Sequence, residues 1–356
     1  MKLIILGDLH FGIRNDSDIL FKFQKLFFET ILAPYVKQHN IKHCIQLGDF
    51  FDRRQYINYK TLHNLYEFLP SLLTEIDLDM HILLGNHDVA LKNSNHINSP
   101  DLLLTDIDKI HVIDDNRVID INGFKAAICC WINNSNYMES LDFIANAKAD
   151  YLFGHFEITG FDYHKGHTCE NGLNSELFSR YLQVFSGHFH TRGQRGNIQY
   201  TGTPYETSWN DWNDQKGFYV LDTDTHEIEF IKNPYNLFTK IEYYNYLDGR
   251  EIVNMYPPSE SAEGKYVKVI CHKKEDDFVF ERYTQKLFSE MPVDIQVSLT
   301  VGFEEVSPSI ETTGKSISEL IIENVNAASS HLYSKEVKSS TIDLLLTLQN
   351  ELNAVT

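Results

Sequence analysis

Residues 43–52 read HCIQLGDFFD, an apolar run that ends in Gly48-Asp49 and reaches a second carboxylate at Asp52. Apolar residues bounded by glycine predict a short buried strand over residues 43–47. The carboxylate of Asp49 would then lie just beyond the carboxyl end of that strand. Open α/β sheets bind their ligands at this edge, so Asp49 is a candidate functional residue.

The same pattern occurs four more times along the chain, always as an apolar run, a glycine and then Asp, Asn or His. The four runs continue into Gly7-Asp8-Leu9-His10, Gly85-Asn86-His87-Asp88, Gly154-His155 and Gly187-His188-Phe189-His190. A glycine at each point lets the backbone turn and approach its neighbours closely. Polar side chains at the ends of neighbouring strands converge on one rim of a sheet, so we expect one shared site.

Most of these polar residues carry atoms that bind metal ions. The seven candidate ligands are Asp8, His10, Asp49, Asn86, His155, His188 and His190. Carboxylate oxygens, an amide oxygen and imidazole nitrogens together suit Mn, Fe or Zn better than Ca, and a pure Mg site would not need four histidines. Two ions about 3.5–4 Å apart, bridged by one carboxylate, would use all seven ligands and stabilise an in-line displacement at phosphorus.

His87 is left over from this set and lies next to a candidate ligand. We predict that His87 protonates the leaving oxygen and that Asp88 fixes the tautomer of the His87 ring. The alternative for each motif is a chance match, since a lone Asp-x-His or a Gly-Asp pair at a helix cap is weak evidence. Five motifs in order, each at the end of a predicted strand, favour the metal site.

Strands and helices alternate over the first 220 residues. Apolar residues at helical spacing predict helices after Asp18 and over residues 59–73, and Pro34 is expected to disturb or end the first. This alternation predicts a layered α/β core. The predicted strands cover residues 2–6, 43–47, 81–84, 126–131, 151–153, 184–185 and 217–221.

The second half of the chain differs in character. Strands predicted over residues 237–246, 266–271 and 295–301, with a helix over 278–290, indicate a small α+β domain. A polar linker follows, and then two amphipathic helical stripes that either dock back on the chain or bind helices of another protein. The predicted divisions are 1–232, 233–302, 303–315 and 316–356.

Bulk properties limit the class of protein. The formal net charge of −19 is opposite to that of most nucleic-acid-binding proteins, unless a partner or bound cations supply positive charge. Five scattered cysteines without a CxxC motif argue against a zinc knuckle and favour a reducing compartment, where Cys129 and Cys130 would be buried apolar residues. Without a signal peptide or an apolar run long enough to span a membrane, we expect a soluble cytoplasmic protein.

The ordered motifs resemble the signature of calcineurin-like metallophosphoesterases over about residues 1–225. GDFFDR at 48–53, YTGTPY at 200–205 and KGF at 216–218 are similar to segments of SbcD-type DNA repair nucleases. The combination resembles the nuclease subunits of recombination endonucleases, including those of T-even phages. This resemblance implies two central β-sheets flanked by helices, a small α+β capping domain, and C-terminal helices that bind an SMC-like ATPase.

The resemblance also divides the ligands between two ions, with Mn as the expected metal and Fe, Zn or Mg as alternatives. One ion would be held by Asp8, His10, Asp49 and His190. The other would be held by Asp49, Asn86, His155 and His188, and His87 would be the catalytic histidine. Cellular relatives often carry His where this chain has Asp52, so we expect Asp52 to support the site rather than bind an ion.

Basic and aromatic residues near the motifs are candidates for DNA contact. Tyr205, Trp209 and Trp212 either stack on bases or pack between domains. Four arginines would lie at the metal-bearing rim and either contact a nucleic-acid backbone or remain solvated loop residues. These are Arg53, Arg54, Arg192 and Arg195.

The predicted function is that of a Mn-dependent DNA nuclease, a 3′–5′ exonuclease and single-strand endonuclease. By the resemblance it works with an SMC-like ATPase in DNA repair, recombination or replication, and forms a homodimer through residues 59–73. The first alternative is a phosphatase or small-molecule phosphodiesterase on the same core, which the acidity favours. The second is a non-catalytic scaffold, although scaffolds usually lose ligands that this chain retains.

Overall fold

A computed structural model describes residues 1–164, 166–244, 246–247, 250–251, 262–273, 277–299 and 338–342. The chain divides into two compact units, Met1–Leu299 and Thr300–Thr356. The predicted linker and most of the predicted C-terminal helices lie outside the described residues. Residues 338–342, the described part of the predicted helical segment, are helical. The predicted domain boundaries stay predictions.

The core of the first unit contains two six-stranded mixed sheets, here called sheet I and sheet II. The strands of sheet I lie in the order Ile228–Lys232, Gly217–Asp222, Lys2–Leu6, His43–Gln46, Asp79–Leu83 and Ile110–Ile113, the last four mutually parallel. The strands of sheet II lie in the order Gly193–Arg195, Ile198–Tyr200, Gln183–Gly187, Tyr151–His155, Phe124–Cys129 and Arg117–Ile121. In sheet II the middle four are parallel.

The first strand shows why these segments read as continuous apolar runs. Leu3 and Ile5 pack in the core between the two sheets, whereas Ile4 and Leu6 pack against the helices outside sheet I. A strand that is buried on both faces needs apolar residues at every position rather than at alternate ones. Sheet II has its own outer layer, in which Ile144 packs on Leu152 and Val184. The predicted core of two central sheets flanked by helices is therefore confirmed.

The helices cover the outer faces of the sheets. On sheet I they are Asp18–Phe27, Ala33–His39, Tyr59–Ile76 and the shorter Ser99–Leu104, and on sheet II Tyr137–Asn146. The short turn Ile13–Asp16 contains left-handed backbones, and its Ile13 packs near Leu20 and Phe238 instead. Short 3₁₀ turns span Ser175–Phe178 and Trp209–Asp211. Small hairpins pair Val89–Leu91 with Ser94–Asn98, and Asp162–His164 with His167–Thr168. No helix among the described residues is long and apolar enough to cross a membrane.

Pro34 disturbs the first long helix without ending it. The chain stays helical from Asp18 to His39, but residues Phe28–Leu32 form a wider π turn that ends two residues before the proline. Proline lacks an N–H, and its ring clashes with the carbonyl four residues earlier in a regular helix. The wider turn avoids both problems, and Pro34 then occupies the first turn of Ala33–His39, where proline is tolerated.

Beyond the core, a third sheet contains the parallel strands Phe238–Tyr244, Tyr266–Lys273 and Asp294–Leu299 and is here called the capping sheet. Helix Asp277–Ser289 covers it through Tyr283 and Leu287. A short pair of strands joins Tyr246–Leu247 to Arg250–Glu251. Phe238, at the start of the capping sheet, packs with Leu20 of the core, and this contact connects the two parts.

Candidate metal centre

The seven predicted ligands meet where the parallel strands of both sheets end. Asp8, Asp49 and Asn86 follow the ends of three strands of sheet I. His155 is the last residue of its strand in sheet II, and His188 and His190 follow the end of another. The two sheets therefore bring the acidic and amide ligands from one side and most of the imidazoles from the other.

Glycine is required where these loops cross. A Cβ atom on Gly85 would lie 2.3 Å from the backbone N of Asp49, and one on Gly187 would lie 2.5 Å from Oδ1 of Asp8. Real Cβ atoms essentially never make non-bonded contacts this short, so any larger residue would push the ligand loops apart. The glycine that precedes a ligand in the sequence thus allows the ligands of both sheets to share one small volume.

Three of the ligands themselves have left-handed backbones, with φ of 48° at His10, 52° at Asp49 and 81° at His188. Such conformations cost on the order of 1–3 kcal/mol each for residues other than glycine and persist only where the surroundings hold them. Hydrogen bonds between neighbouring loops stabilise these conformations. The backbone carbonyl of Asp49 accepts hydrogen bonds from the N–H groups of Leu9 and His10 at 3.1 and 3.0 Å.

The first group of ligand atoms surrounds His10. Its Nε2 lies 3.0 Å from Nε2 of His190 and 4.0 Å from Oδ2 of Asp8. Oδ2 of Asp8 is 3.9 Å from Nε2 of His190, and Oδ2 of Asp49 is 3.9 Å from Nε2 of His10. The structure thus brings together the four residues predicted to hold one ion.

The second group surrounds His155. Its Nε2 lies 2.9 Å from Oδ1 of Asn86, 3.2 Å from Nδ1 of His188 and 3.4 Å from Oδ2 of Asp49. Nδ1 of His188 is 2.8 Å from the same Asn86 oxygen. Asp49 Oδ2 therefore belongs to both groups, which is the arrangement expected of a bridging carboxylate.

The separations of 2.8–3.4 Å in the second group, and of 3.0 Å between His10 and His190, fit metal binding, whereas the carboxylate–imidazole separations of 3.9–4.0 Å in the first group are longer. Atoms bound to one ion at about 2.1 Å lie about 3.0–3.4 Å apart in octahedral or tetrahedral coordination. Imidazole nitrogens and carboxylate and amide oxygens that converge in this way could hold a cation at their centre. The donor set fits two transition-metal ions and fits Mg or Ca alone less well.

The protonation of the imidazoles supports the same conclusion. Burial lowers the pKa of His190 to about 4, and burial together with His190 holds the pKa of His10 well below its usual value. Burial also lowers the pKa of His188. Three histidines are thus kept neutral, which is the form that binds metal ions. His155 differs, because Asp49 raises its pKa to about 9 although burial opposes this.

The pKa values of the two carboxylates of the centre, Asp8 and Asp49, are shifted in opposite directions. Burial and the neighbouring Asp49 raise the pKa of Asp8 to about 8, although His155 opposes the change. Asp49 itself is held well below its usual pKa, because the adjacent His155 and His10 outweigh the effect of burial. A divalent cation between the two carboxylates would stabilise both in the ionised form.

His87 lies at the edge of the first group. Its ring is 5.0 Å from that of His10, and its backbone N–H donates to Oδ1 of Asp49 at 2.7 Å. Nδ1 of His87 lies 2.5 Å from the backbone carbonyl of Asp52, which leaves Nε2 for other partners. The Asp52 carboxylate lies 3.5 Å from Nδ1 of His10, behind the atom that faces the centre. This placement agrees with a supporting role for Asp52, which stays a prediction.

The expected contact between Asp88 and the His87 ring needs correction. The Asp88 carboxylate is buried and accepts three backbone N–H groups, from Gly85 at 2.8 Å, Phe50 at 2.9 Å and Phe51 at 3.2 Å. Adjacency in sequence suggested the wrong partner, because successive residues of a tight loop point in different directions. Asp88 holds the two loops that carry Asp49 and Asn86 together.

Two further residues, which the motif pattern missed, orient the ligands. The backbone carbonyl of Leu47 lies 2.7 Å from Nδ1 of His155 and so directs Nε2 to the centre. Oε1 of Glu157 lies 3.1 Å from Nε2 of His188 and directs Nδ1 inward. Glu157 lies two residues after His155, so an acidic residue near the motif was a usable signal. The Leu47 carbonyl leaves no trace in the sequence.

The candidate DNA contacts divide into two kinds. Arg53 pairs with Asp16 at 3.1 Å, and Arg192 donates to the hydroxyl of Tyr219 at 2.9 Å and stacks over Phe230. Both guanidinium groups are therefore engaged within the protein. Arg54 is half-buried, and Arg195 is exposed although its guanidinium lies 5.5 Å from the centre of the Phe161 ring.

The aromatic candidates pack within the protein. Tyr205 is buried and donates from its hydroxyl to the backbone carbonyl of Leu9 at 2.6 Å. Trp209 lies 4.9 Å from the ring of Phe238, and Trp212 joins the same cluster at the start of the capping sheet. Of the two interpretations that the sequence left open, the structure supports packing for all three residues.

Comparison with known proteins agrees with this geometry. The model of the calcineurin-like phosphoesterase family matches residues 1–192. The chain belongs to that family. It is also 30% identical over 330 residues to exonuclease subunit 1 of Enterobacteria phage T4, a match that covers 92% of this chain and 93% of that protein.

Similarity to solved structures is weaker. An archaeal phosphodiesterase is 15% identical, with the match covering 65% of this chain and all 100% of that one, at a TM-score of 0.32. The glutamine-dependent NAD⁺ synthetase of Acinetobacter baumannii is 10% identical, with coverages of 98% and 72% and a TM-score of 0.32. Scores of this size support no inference on fold or function.

Substitution of Asp49 by Ala is expected to abolish binding of both metal ions, because its Oδ2 lies in both groups of ligand atoms. Calorimetric titration of the metal-free protein with Mn²⁺ measures the number of sites. His190→Ala is the matched control, since it removes a ligand of one group and should leave one ion bound. Two ions bound to the Asp49→Ala variant would disprove the bridging role.

Proposed function

We propose that this chain is a DNA nuclease that hydrolyses phosphodiester bonds with two divalent metal ions, of which Mn²⁺ is the expected one. The observation that carries the proposal is the pair of ligand groups that share Asp49. It occurs in a chain with 30% identity to a phage exonuclease subunit over nearly its whole length. When bound, such a metal pair activates water and stabilises the negative charge that develops at phosphorus.

His87 is the proposed acid. With Nδ1 directed at the Asp52 carbonyl, Nε2 is the atom that can give a proton to the leaving oxygen. The hydrogen bond from its backbone N–H to Asp49 fixes the His87 loop relative to the ligands. Because the leaving 3′ oxygen of a nucleotide is a poor leaving group when unprotonated, a positioned proton donor would accelerate cleavage.

A cavity of about 800 Å³ supports a substrate larger than a simple phosphate ester. Its lining includes His188, His190 and Glu157, together with the hairpin residues Tyr163 and His167. Its volume falls within the range that holds a nucleotide-sized group. The Tyr163 ring is 41% exposed and offers a flat surface for a base.

The more specific features of the proposal rest on the resemblance to SbcD-type nucleases and on the match to the phage exonuclease subunit. We propose 3′–5′ exonuclease and single-strand endonuclease activity, a role in DNA repair, recombination or replication, and a phage protein that works in the host cytoplasm. An SMC-like ATPase would bind residues 316–356. A homodimer would form through helix Tyr59–Ile76, where Tyr59 is 88% exposed and Tyr66 is 42% exposed.

With Mn²⁺, the purified chain is expected to cleave labelled single-stranded DNA, and EDTA should abolish this because it removes the metal ions. The assay runs in parallel with p-nitrophenyl phosphate. Asp49→Ala is the control for a contaminating nuclease. Hydrolysis of the small ester alone would disprove the DNA assignment and favour the phosphatase alternative.

His87→Ala is expected to keep both metal ions and to lower the rate of DNA cleavage about 10²–10⁴-fold, the usual contribution of a general acid. Single-turnover cleavage and Mn²⁺ titration are measured on the same preparation. Asp52→Asn, which keeps the backbone carbonyl that faces the His87 ring, is the comparison. Loss of metal ions from His87→Ala would contradict the role of His87 as an acid.

Deletion of residues 303–356 is expected to leave cleavage of single strands intact, because the described ligands all lie in the first unit. The same deletion should abolish binding to a purified coiled-coil segment of an SMC-like ATPase from the same source. Binding is measured by calorimetry, with the full chain as reference. A truncated chain that still binds the segment would rule out the proposed partner site.

A further inference from the structure

The segments that contain YTGTPY and KGF have no place among the metal ligands, yet one of their residues reaches His190. The Lys216 side chain is only 2% exposed. Its Nζ donates to the backbone carbonyl of His190 at 2.8 Å and to Oδ1 of Asp211 at 2.7 Å. The same carbonyl accepts the N–H of Thr203 at 3.2 Å. A buried ammonium group thus fixes the main chain of a predicted metal ligand.

Asp211 connects Lys216 to the loop that contains Thr207 and Ser208. Its Oδ2 accepts hydrogen bonds from the backbone N–H groups of Thr207 at 2.8 Å and Ser208 at 3.0 Å, and from the Thr207 hydroxyl at 2.6 Å. The Asp211 side chain is 2% exposed, so the ion pair with Lys216 has little contact with water. Lys216 Nζ also lies 3.7 Å from Oδ2 of a second carboxylate, Asp214. Removal of Lys216 would therefore leave buried carboxylates without their cationic partner, which is costly in the interior.

Glu206, directly before Thr207, holds the capping sheet. Its carboxylate is buried, and Oε2 accepts the backbone N–H groups of Leu237 at 2.6 Å and Phe238 at 2.9 Å. Phe238 is the first residue of the first capping strand. Asn233 adds a parallel connection, because its backbone N–H donates to the carbonyl of Lys216 at 2.8 Å.

We propose that Lys216, Asp211 and Glu206 are positioning residues that fix His190 relative to the first strand of the capping sheet. Each of the three side chains has partners at hydrogen-bonding distance, and a displacement of Phe238 would break its contact with the buried Glu206 carboxylate. The position of the capping strand therefore sets how well the His190 imidazole is placed to bind a metal ion. The inference rests on one part of the proposed function, namely that the centre holds two ions and that His190 binds one of them.

Calorimetric titration of the metal-free full chain with Mn²⁺ tests the inference. Lys216→Met should weaken the site that contains His190 about 10- to 100-fold, the usual effect of losing a group that orients a ligand, and leave the other site unchanged. Glu206→Ala should weaken the same site. Glu206→Gln should keep wild-type affinity, because its amide oxygen can still accept both N–H groups.

Lys109→Met is the matched control. Lys109 also pairs with two carboxylates, Asp77 and Asp79, but at the opposite end of the strands of sheet I. Its removal should change neither Mn²⁺ site. Thermal unfolding of each metal-free variant shows whether it is folded, and the comparison of Glu206→Ala with Glu206→Gln decides the matter if Lys216→Met does not fold.

Two outcomes would overturn the inference, and they are distinguishable. Wild-type affinity at both sites in Lys216→Met and Glu206→Ala would show that the series does not position His190. Equal weakening of both sites would show a general structural role instead. Fewer than two ions bound to the wild-type chain would reject the two-metal proposal itself.

Discussion

The carboxylate of Asp49 is the contact on which the centre depends. One oxygen lies in both groups of ligand atoms, and the other accepts the backbone N–H of His87. The backbone carbonyl of Asp49 accepts hydrogen bonds from the loop that contains His10. His10 and His155 lie beside this carboxylate, and the glycines that precede the ligands let the loops approach one another. The two-sheet core therefore holds one residue at the meeting point of four loops.

Much of this arrangement could be predicted from the sequence, because the two strongest signals have simple physical causes. Strands such as Lys2–Leu6 are buried on both faces and so are apolar at every position. Each then ends in glycine because the ligand loops cross within van der Waals distance. Both causes act on single residues, and both leave a readable pattern.

Other features depend on contacts between distant residues and could not be predicted. The Asp88 carboxylate accepts backbone N–H groups, and every residue except proline has such a group. Residue types therefore do not reveal this contact. Arg53 and Arg192 looked like DNA contacts because of their place beside the motifs, yet Asp16, Tyr219 and Phe230 engage them. Pro34 signalled a break, but a wider turn absorbs it. In each case tertiary packing determined the outcome.

The left-handed backbones of His10, Asp49 and His188 have a consequence for the evolution of this fold. Glycine or asparagine would occupy these conformations at lower cost, so the residues present are not those that a search for thermostability would retain. Directed-evolution schemes that score only melting temperature would tend to replace them. Such schemes would produce robust chains without catalytic metal, which is one physical route from an enzyme of this architecture to an inert scaffold.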